Sequence, residues 1–318
     1  MTLELRRLRG PWLAAAVIVA VTGRPAPAAE PPNVVATILP VHALVARVMG
    51  MAGAPWLLVP PGASPHTHAL RPSDARALAN ADLVVWVGPE LEHFLARSLD
   101  ALAPDALRLS LLRDAGIATL PVRRGGVWID DGEDHAAHDA ATDTDPHIWL
   151  DPANARAIVR AVAGALAGLD PERAGTYRAN ATAAERDLDA LEREIGARLA
   201  PVADRPFVVF HDAYVYLERR YGLHAAGSIM RDAEQPPGAR RLIALRDRIA
   251  AARVPCVFAE PQFSPKLVAT VVEGTGAEAG TLDPVGAGPP GPAAYQRMMR
   301  ALADALVACL GAPADAPN

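Results

Sequence analysis

The stretch PERAGTYRANATAAERDLDALEREIGARL, residues 171–199, decides the architecture. Its apolar positions, among them Leu188, Leu191, Ile195 and Leu199, recur every three to four residues, which marks one face of a helix. At 1.5 Å per residue such a helix spans roughly 40 Å. That is longer than an ordinary domain helix and suits a rod that joins two lobes.

Working outward from it, the same pattern lies on both sides. Toward the N-terminus, a helix over 152–169 follows a series of short β-branched runs. VVATIL (34–39), WLLVP (56–60), DLVVWVG (82–88) and the weaker RLSLL (108–112) read as strands. Helical segments over 41–49, 73–80 and about 90–99 separate them. Toward the C-terminus the strands are FVVFHD (207–212), HAAGSI (224–229), CVFAE (256–260) and EAGTL (278–282). They alternate with helices over 213–221, 236–252, 264–273 and 293–310. Strand–helix alternation predicts βαβ units and parallel sheets. The expected fold is therefore α/β, with two lobes, each a four-stranded parallel sheet flanked by helices, joined by one long backbone helix. The expected boundaries are 29–168 for the N-terminal lobe, 169–200 for the linking helix and 201–318 for the C-terminal lobe.

Composition narrows the class. Half the residues are hydrophobic (51%) and 21% are charged, which excludes whole-chain disorder and coiled coil. A formal charge of −5 argues against a dedicated nucleic-acid binder, and two Cys are too few for a disulfide scaffold or a Cys-rich zinc module. The N-terminus carries Arg6, Arg7 and Arg9, an apolar run from Trp12 to Val21, then Ala26 and Ala28. That is the pattern of a secretory signal peptide over 1–28, cleaved near Ala28, and the run is too short for a membrane span. An exported, periplasmic location is expected. Removing residues 1–28 takes away four Arg and one Glu and moves the formal charge to −8.

Ligands of open parallel α/β sheets bind beyond the carboxyl ends of the strands. Four polar residues fall there. His66 follows WLLV within PGASPHTHALRPSD, His147 lies in DPHIWLD before a helix, His211 ends FVVFH, and Asp283 follows EAGTL. Two belong to each lobe, so three imidazoles and a carboxylate can meet in the cleft. That donor set suits tetrahedral Zn²⁺ or another borderline divalent ion. The spacing does not decide it, because separations of 81, 64 and 72 residues carry no helical geometry. Loop or helix-capping roles for the His, and a turn role for Asp283 before Pro284, stand beside the metal reading. HEXXH and a nucleophile elbow are absent, so a zinc-dependent hydrolase lacks its usual local parts.

Several strings in order carry a family resemblance: PGASPHTHALRPSD (61–74), ADLVVWVGPELE (81–92), DPHIWLDP (145–152), FHDAYVYLERRYGL (210–223), CVFAEPQF (256–263) and GTLDPVG (280–286). Over nearly the whole mature chain, the sequence resembles the periplasmic zinc-binding receptors of bacterial high-affinity zinc ABC importers. These sit within the cluster nine metal-binding solute receptors. The resemblance implies two lobes joined by a rigid helix, and a metal held between them by His66, His147 and His211. It implies a receptor with no covalent chemistry, an ABC transporter membrane permease as partner, a periplasmic metallochaperone as a further one, and a monomer. Relatives that prefer manganese generally place Glu where His211 stands, and three imidazoles suit Zn²⁺ better than the harder Mn²⁺. A manganese or iron receptor of the same family is the rival reading. The fourth ligand is Asp283 or water, with Asp283 preferred.

The resemblance also covers what the alternation leaves over. Residues 123–146 contain seven acids between Asp130 and Asp145, together with His135 and His138. Zinc receptors of this type often carry a His- and acid-rich loop there, so His135 and His138 are expected to form an auxiliary metal loop, with a solvated linker as the alternative. Cys256 and Cys309 match positions that form a disulfide in the family. Glu260 reads equally as a residue behind a metal ligand or as a buried structural carboxylate.

Overall fold

In the computed structural model, which describes residues 30–123, 144–230 and 237–311, each run of strands forms its own sheet. The first sheet contains β1 (Val34–Ala36), β2 (Trp56–Leu57), β3 (Leu83–Trp86) and β4 (Leu107–Ser110) in the order β2-β1-β3-β4. The second contains β5 (Phe207–His211), β6 (Ala225–Met230), β7 (Cys256–Ala259) and β8 (Glu278–Thr281) in the order β6-β5-β7-β8. Every pairing is parallel, so both sheets share one topology. In each the chain reverses direction across the sheet after its second strand. The crevices between β1 and β3, and between β5 and β7, are therefore the switch points where such sheets bind ligands.

The helices in chain order are α1 (Leu39–Met49), α2 (Pro72–Ala79), α3 (His93–Ala96), α4 (Leu99–Leu102), α5 (Leu111–Asp114), α6 (Pro152–Leu169), α7 (Ala174–Leu199), α8 (Val215–Tyr221), α9 (Ala239–Ala251), α10 (Lys266–Val272) and α11 (Ala294–Leu310). Prolines set several of their starts. VVATIL yields only three strand residues because Pro40 sits in the first turn of α1, where a missing N–H costs nothing. Pro72 opens α2, with Arg71 as its cap. The Asp74 carboxylate accepts from the Arg71 backbone N at 2.9 Å. The helix expected over 90–99 is split into α3 and α4, and the segment after β4 turns at once into α5.

The long helix is present as a short 3₁₀ turn over Pro171–Arg173 followed by α7. Tyr177, Ala181, Ala184, Leu188, Leu191, Ile195 and Leu199 form its buried face. Asp170 caps this entry: it accepts from Arg173 N at 3.2 Å and from the Tyr177 hydroxyl at 2.7 Å. The α7 stripe belongs to one continuous apolar cluster that takes in Val34 and Val85 of the first sheet and Phe207 and Phe258 of the second. Both lobes thus share a core across α7. Two smaller clusters close the outer faces, one around Leu58, Val84 and Leu95 and one around Val208, Ile229 and Val257. Cys256, which opens β7, is bonded to Cys309 on α11 and ties the second sheet to the last helix. Among the described residues no helix is long and apolar enough to cross a membrane. The signal peptide expected over 1–28 lies outside the described residues.

Candidate metal centre

The carboxyl ends of the two sheets are put to different uses. At the first switch point a buried carboxylate fills the crevice. Glu92 accepts from the Thr37 hydroxyl at 2.5 Å, just past β1, and from Val87 N and Gly88 N at 3.2 and 2.9 Å, just past β3. Burial pushes its pKa up to about 7, against the pull of those donors. At the second switch point the same place is taken by His211, the last residue of β5, and Glu260, the first residue past β7. The His211 Nδ1 lies 2.7 Å from both Glu260 oxygens, and its backbone N donates to Oε1 at 3.2 Å.

His147 reaches the same point from the other lobe. It precedes a 3₁₀ turn, Ile148–Leu150, that leads into α6 with Asp151 as N-cap. Asp145 accepts from the His147 backbone N at 2.9 Å and from its Nδ1 at 3.1 Å. This segment is braced across the lobes. The Tyr216 hydroxyl donates to Asp145 O, Trp149 Nε1 donates to Pro284 O at 2.6 Å, and the Tyr295 hydroxyl donates to Trp149 O at 2.8 Å. The Arg220 guanidinium holds both Asp151 oxygens at 2.7 and 2.8 Å. His66 arrives on the turn-rich segment that follows β2. No hydrogen bond within the protein engages its buried Nε2.

Together the three rings make a triangle with centroid separations of 5.2, 5.5 and 5.5 Å. One donor nitrogen from each falls within 4.8 Å of the others, and Nε2 of His147 lies 3.2 Å from Nε2 of His211. Four ligands placed tetrahedrally at about 2.0–2.1 Å from a zinc ion stand about 3.3 Å apart. A carboxylate only accepts, so Nδ1 of His147 and of His211 donates, and in the neutral rings each Nε2 presents a lone pair toward the other. Facing lone pairs repel. A cation between them converts that repulsion into two bonds. The space bordered by Pro65, Trp149, Phe263 and Val285 is about 10 Å³ for the centre of a water-sized sphere, room for one ion or one water.

Charge supports the same reading. Burial, then the neighbouring imidazoles of His147 and His211, lowers His66 to about 2. Burial, reinforced by His211, drives His147 well below its ordinary value. His211 is also pulled down by burial, but Glu260, with help from Asp145 and Asp212, more than offsets this and raises it. Asp145 is pushed up to about 7 by burial, against the His147 N–H, His211 and Arg123. The cluster therefore offers His66 and His147 uncharged and His211 as the ring that holds a proton most readily, with Asp145 and Glu260 behind two of the rings to orient them and increase their basicity toward a metal.

Asp283 is not brought into the cluster. Its Oδ1 accepts from Gln262 Nε2 at 2.8 Å, Val285 N at 3.2 Å and Gly286 N at 2.9 Å, so this oxygen builds the turn around Pro284. His135 and His138 lie outside the described residues. His68 packs edge-on against Phe94 with its Nε2 3.9 Å from Asp74, and the buried His42 meets Pro55 O at 3.0 Å. Asp145 was not singled out from the sequence. The available signal was its place two residues before His147, within reach of that ring's own Nδ1.

Two parallel α/β lobes on a shared helix, with a buried three-imidazole cleft between them, define a metal-binding solute receptor. Comparison with known proteins narrows this. The family model for zinc-uptake complex component A, periplasmic (ZnuA), matches residues 34–309. The high-affinity zinc uptake system protein ZnuA of Brucella abortus (strain 2308) is 40% identical over 335 residues, covering 96% of this chain and 99% of that protein. Its counterpart in Paracoccus denitrificans is also 40% identical, covering 89% of this chain and 93% of that protein. A solved ZnuA deletion mutant with zinc bound superposes with a TM-score of 0.75 at 27% identity, covering 89% of this chain and 100% of that one. The chain belongs to the ZnuA family.

Proposed function

We propose that this protein binds one Zn²⁺ in the interlobe cleft through His66, His147 and His211 and delivers it to the membrane permease of an ABC importer. The observation that carries this is the convergence of three ring nitrogens within 4.8 Å, two of them fixed as acceptors by buried carboxylates. Three nitrogen donors and one further position suit Zn²⁺, whereas Mn²⁺ favours harder oxygen-rich sites. Competition titration with a chromophoric chelator tests the assignment. Zn²⁺ is expected to bind far more tightly than Mn²⁺, and equal or tighter Mn²⁺ binding would make this a manganese receptor.

Export through the segment 1–28, cleaved near Ala28, would place the receptor in the periplasm as a monomer. A lobe division at 29–168, 169–200 and 201–318 fits the two sheets and α7, although the shared core favours small lobe movements over a wide hinge. The described residues on either side of the acidic segment that contains His135 and His138 pair with each other next to His147: Pro121 pairs with Thr144, and Asp145 N donates to Leu120 O at 2.8 Å. In this reading the segment collects zinc, directly or from a periplasmic metallochaperone, and passes it to the cleft. Deleting 130–144 is expected to slow zinc loading at low metal concentration. Unchanged stoichiometry and transfer rate would reduce the segment to a linker.

A further inference from the structure

Two arms of chain, 117–123 after α5 and 144–147 before the Ile148–Leu150 turn, follow the first sheet in sequence but are fastened to the second lobe. They form one short ladder, since Pro121 pairs with Thr144 and Asp145 N donates to Leu120 O at 2.8 Å. One hydroxyl of α8 joins both arms. Tyr216 accepts from Leu120 N and donates to Asp145 O, each at 2.9 Å. Arg123 closes the arrangement, with its guanidinium between Glu218 of α8 and Asp212, the residue after His211. Its Nε meets the two Asp212 oxygens at 3.1 and 2.9 Å. Its terminal nitrogens meet the two Glu218 oxygens at 2.8 Å each, and one of them also meets Asp212 Oδ1. Glu218 in turn accepts from Ala225 N of β6 at 2.9 Å, which ties the clasp into the second sheet. Exposed ion pairs contribute little, but the side chains of Arg123, Asp212 and Glu218 are only 22, 11 and 8% exposed. Removing the guanidinium would take the cation from between two largely buried carboxylates, a costly change.

We infer that Arg123 is a positioning residue that fastens the arms carrying His147 to the second lobe, so that the spacing between His147 and His211 is set before a metal arrives. Sequence order puts His147 in the first lobe, whereas the bonds of its arm place it with the second. His147 and His211 then ride on one body and His66 on the other. The planar fork of Arg suits this task, because it engages two carboxylates at once where a Lys ammonium offers a single point charge. This rests on the receptor reading above. It adds the element whose detachment lets His147 part from His211 and so governs how fast the metal leaves.

The test uses the full mature protein. Hydrogen exchange of the metal-free protein, read by mass spectrometry, follows peptides over 115–122 and 144–150, and a chromophoric chelator follows zinc release. Arg123→Gln is expected to speed exchange of both arms about 10-fold, the lower end for a lost charge-assisted hydrogen bond, while peptides of α1 and α7 keep their rates. Zinc release should quicken by a similar factor. Arg123→Lys, which keeps the charge and loses the fork, should fall between the original and Arg123→Gln. Because the clasp acts as a unit, adding Glu218→Gln to Arg123→Gln should leave zinc release within about threefold of Arg123→Gln alone. The inference is overturned if the arms keep their exchange rates in Arg123→Gln, if α1 and α7 speed up equally, if zinc release is unchanged, or if the effects of the two substitutions multiply. Should Arg123→Gln fail to fold, Glu218→Gln alone carries the same expectations. Exchange is measured without metal, so a protein that took up no zinc would sink the receptor reading while the exchange result still decided whether Arg123 holds the arms.

Discussion

Replacing Glu260 by Gln keeps the shape of the side chain and removes one charge. In the native site His211 Nδ1 sits 2.7 Å from both carboxylate oxygens. In the variant one of those two atoms becomes an NH₂ that confronts the Nδ1–H, so the ring must rotate or keep a single neutral hydrogen bond. Loss of a partner behind a metal ligand lowers affinity about 10–100-fold, or about 1.4–2.7 kcal/mol. Zinc competition titration at pH 7.5 measures that loss. A second signature separates it from general damage. Glu260 outweighs burial to raise the pKa of His211, so among the three ligands His211 takes up a proton first on acidification and expels the metal. Without the carboxylate its pKa falls, and the acid limit of zinc binding moves to lower pH even as affinity at pH 7.5 drops. In the metal-free protein a raised folded-state pKa gives stability that is full below the unfolded value near 6.5 and is lost as pH rises through the folded value. The variant should therefore lose more stability below pH 6.5 than above the folded pKa. An unchanged affinity, or a weaker one whose acid limit stays in place, would refute this account of the His211–Glu260 pair.

Two further outcomes follow from the fold. Replacing Cys256 and Cys309 by Ser opens a loop with a separation of 53 residues and should lower stability by up to roughly 4 kcal/mol in chemical denaturation. Zinc affinity should stay nearly constant, because Cys256 begins β7 at the end opposite Glu260. Trp149→Phe removes the donor to Pro284 O and should cost about 1–3 kcal/mol in the same assay. A change below about 0.5 kcal/mol would mean that the Trp149 contact contributes little to joining the lobes.

The features legible in the sequence are those set by local periodicity. The α7 stripe at Leu188, Leu191, Ile195 and Leu199 is buried as its spacing predicts, and all eight strands lie where β-branched runs marked them. Strand ends were less legible: Pro40 turns the end of VVATIL into α1, and WLLVP keeps only Trp56–Leu57 as strand although Leu58 N and Val59 N still donate to Ala36 O and Thr37 O. His66 could be nominated by its place after a strand, His211 by ending one and His147 by standing before a helix, but their convergence depends on two lobes meeting across a shared core. Asp145 and Glu260 illustrate the limit. Neither differs in sequence from a turn residue or a buried acid, and each gains its role from a ring nitrogen about 3 Å away. Asp283 shows the reverse. Its position past β8 suggests a ligand, yet its Oδ1 is held by the amides of Val285 and Gly286 and the side chain of Gln262, and the converging ring nitrogens are those of His66, His147 and His211.

The most direct measurement is metal analysis of the purified protein beside a variant in which His66, His147 and His211 are all Ala, followed by zinc titration of both. The account predicts one tightly bound zinc per chain in the original protein and none of comparable affinity in the variant, with its fold retained by circular dichroism. Stoichiometric, tightly bound zinc in the triple variant would contradict the cleft as the metal site.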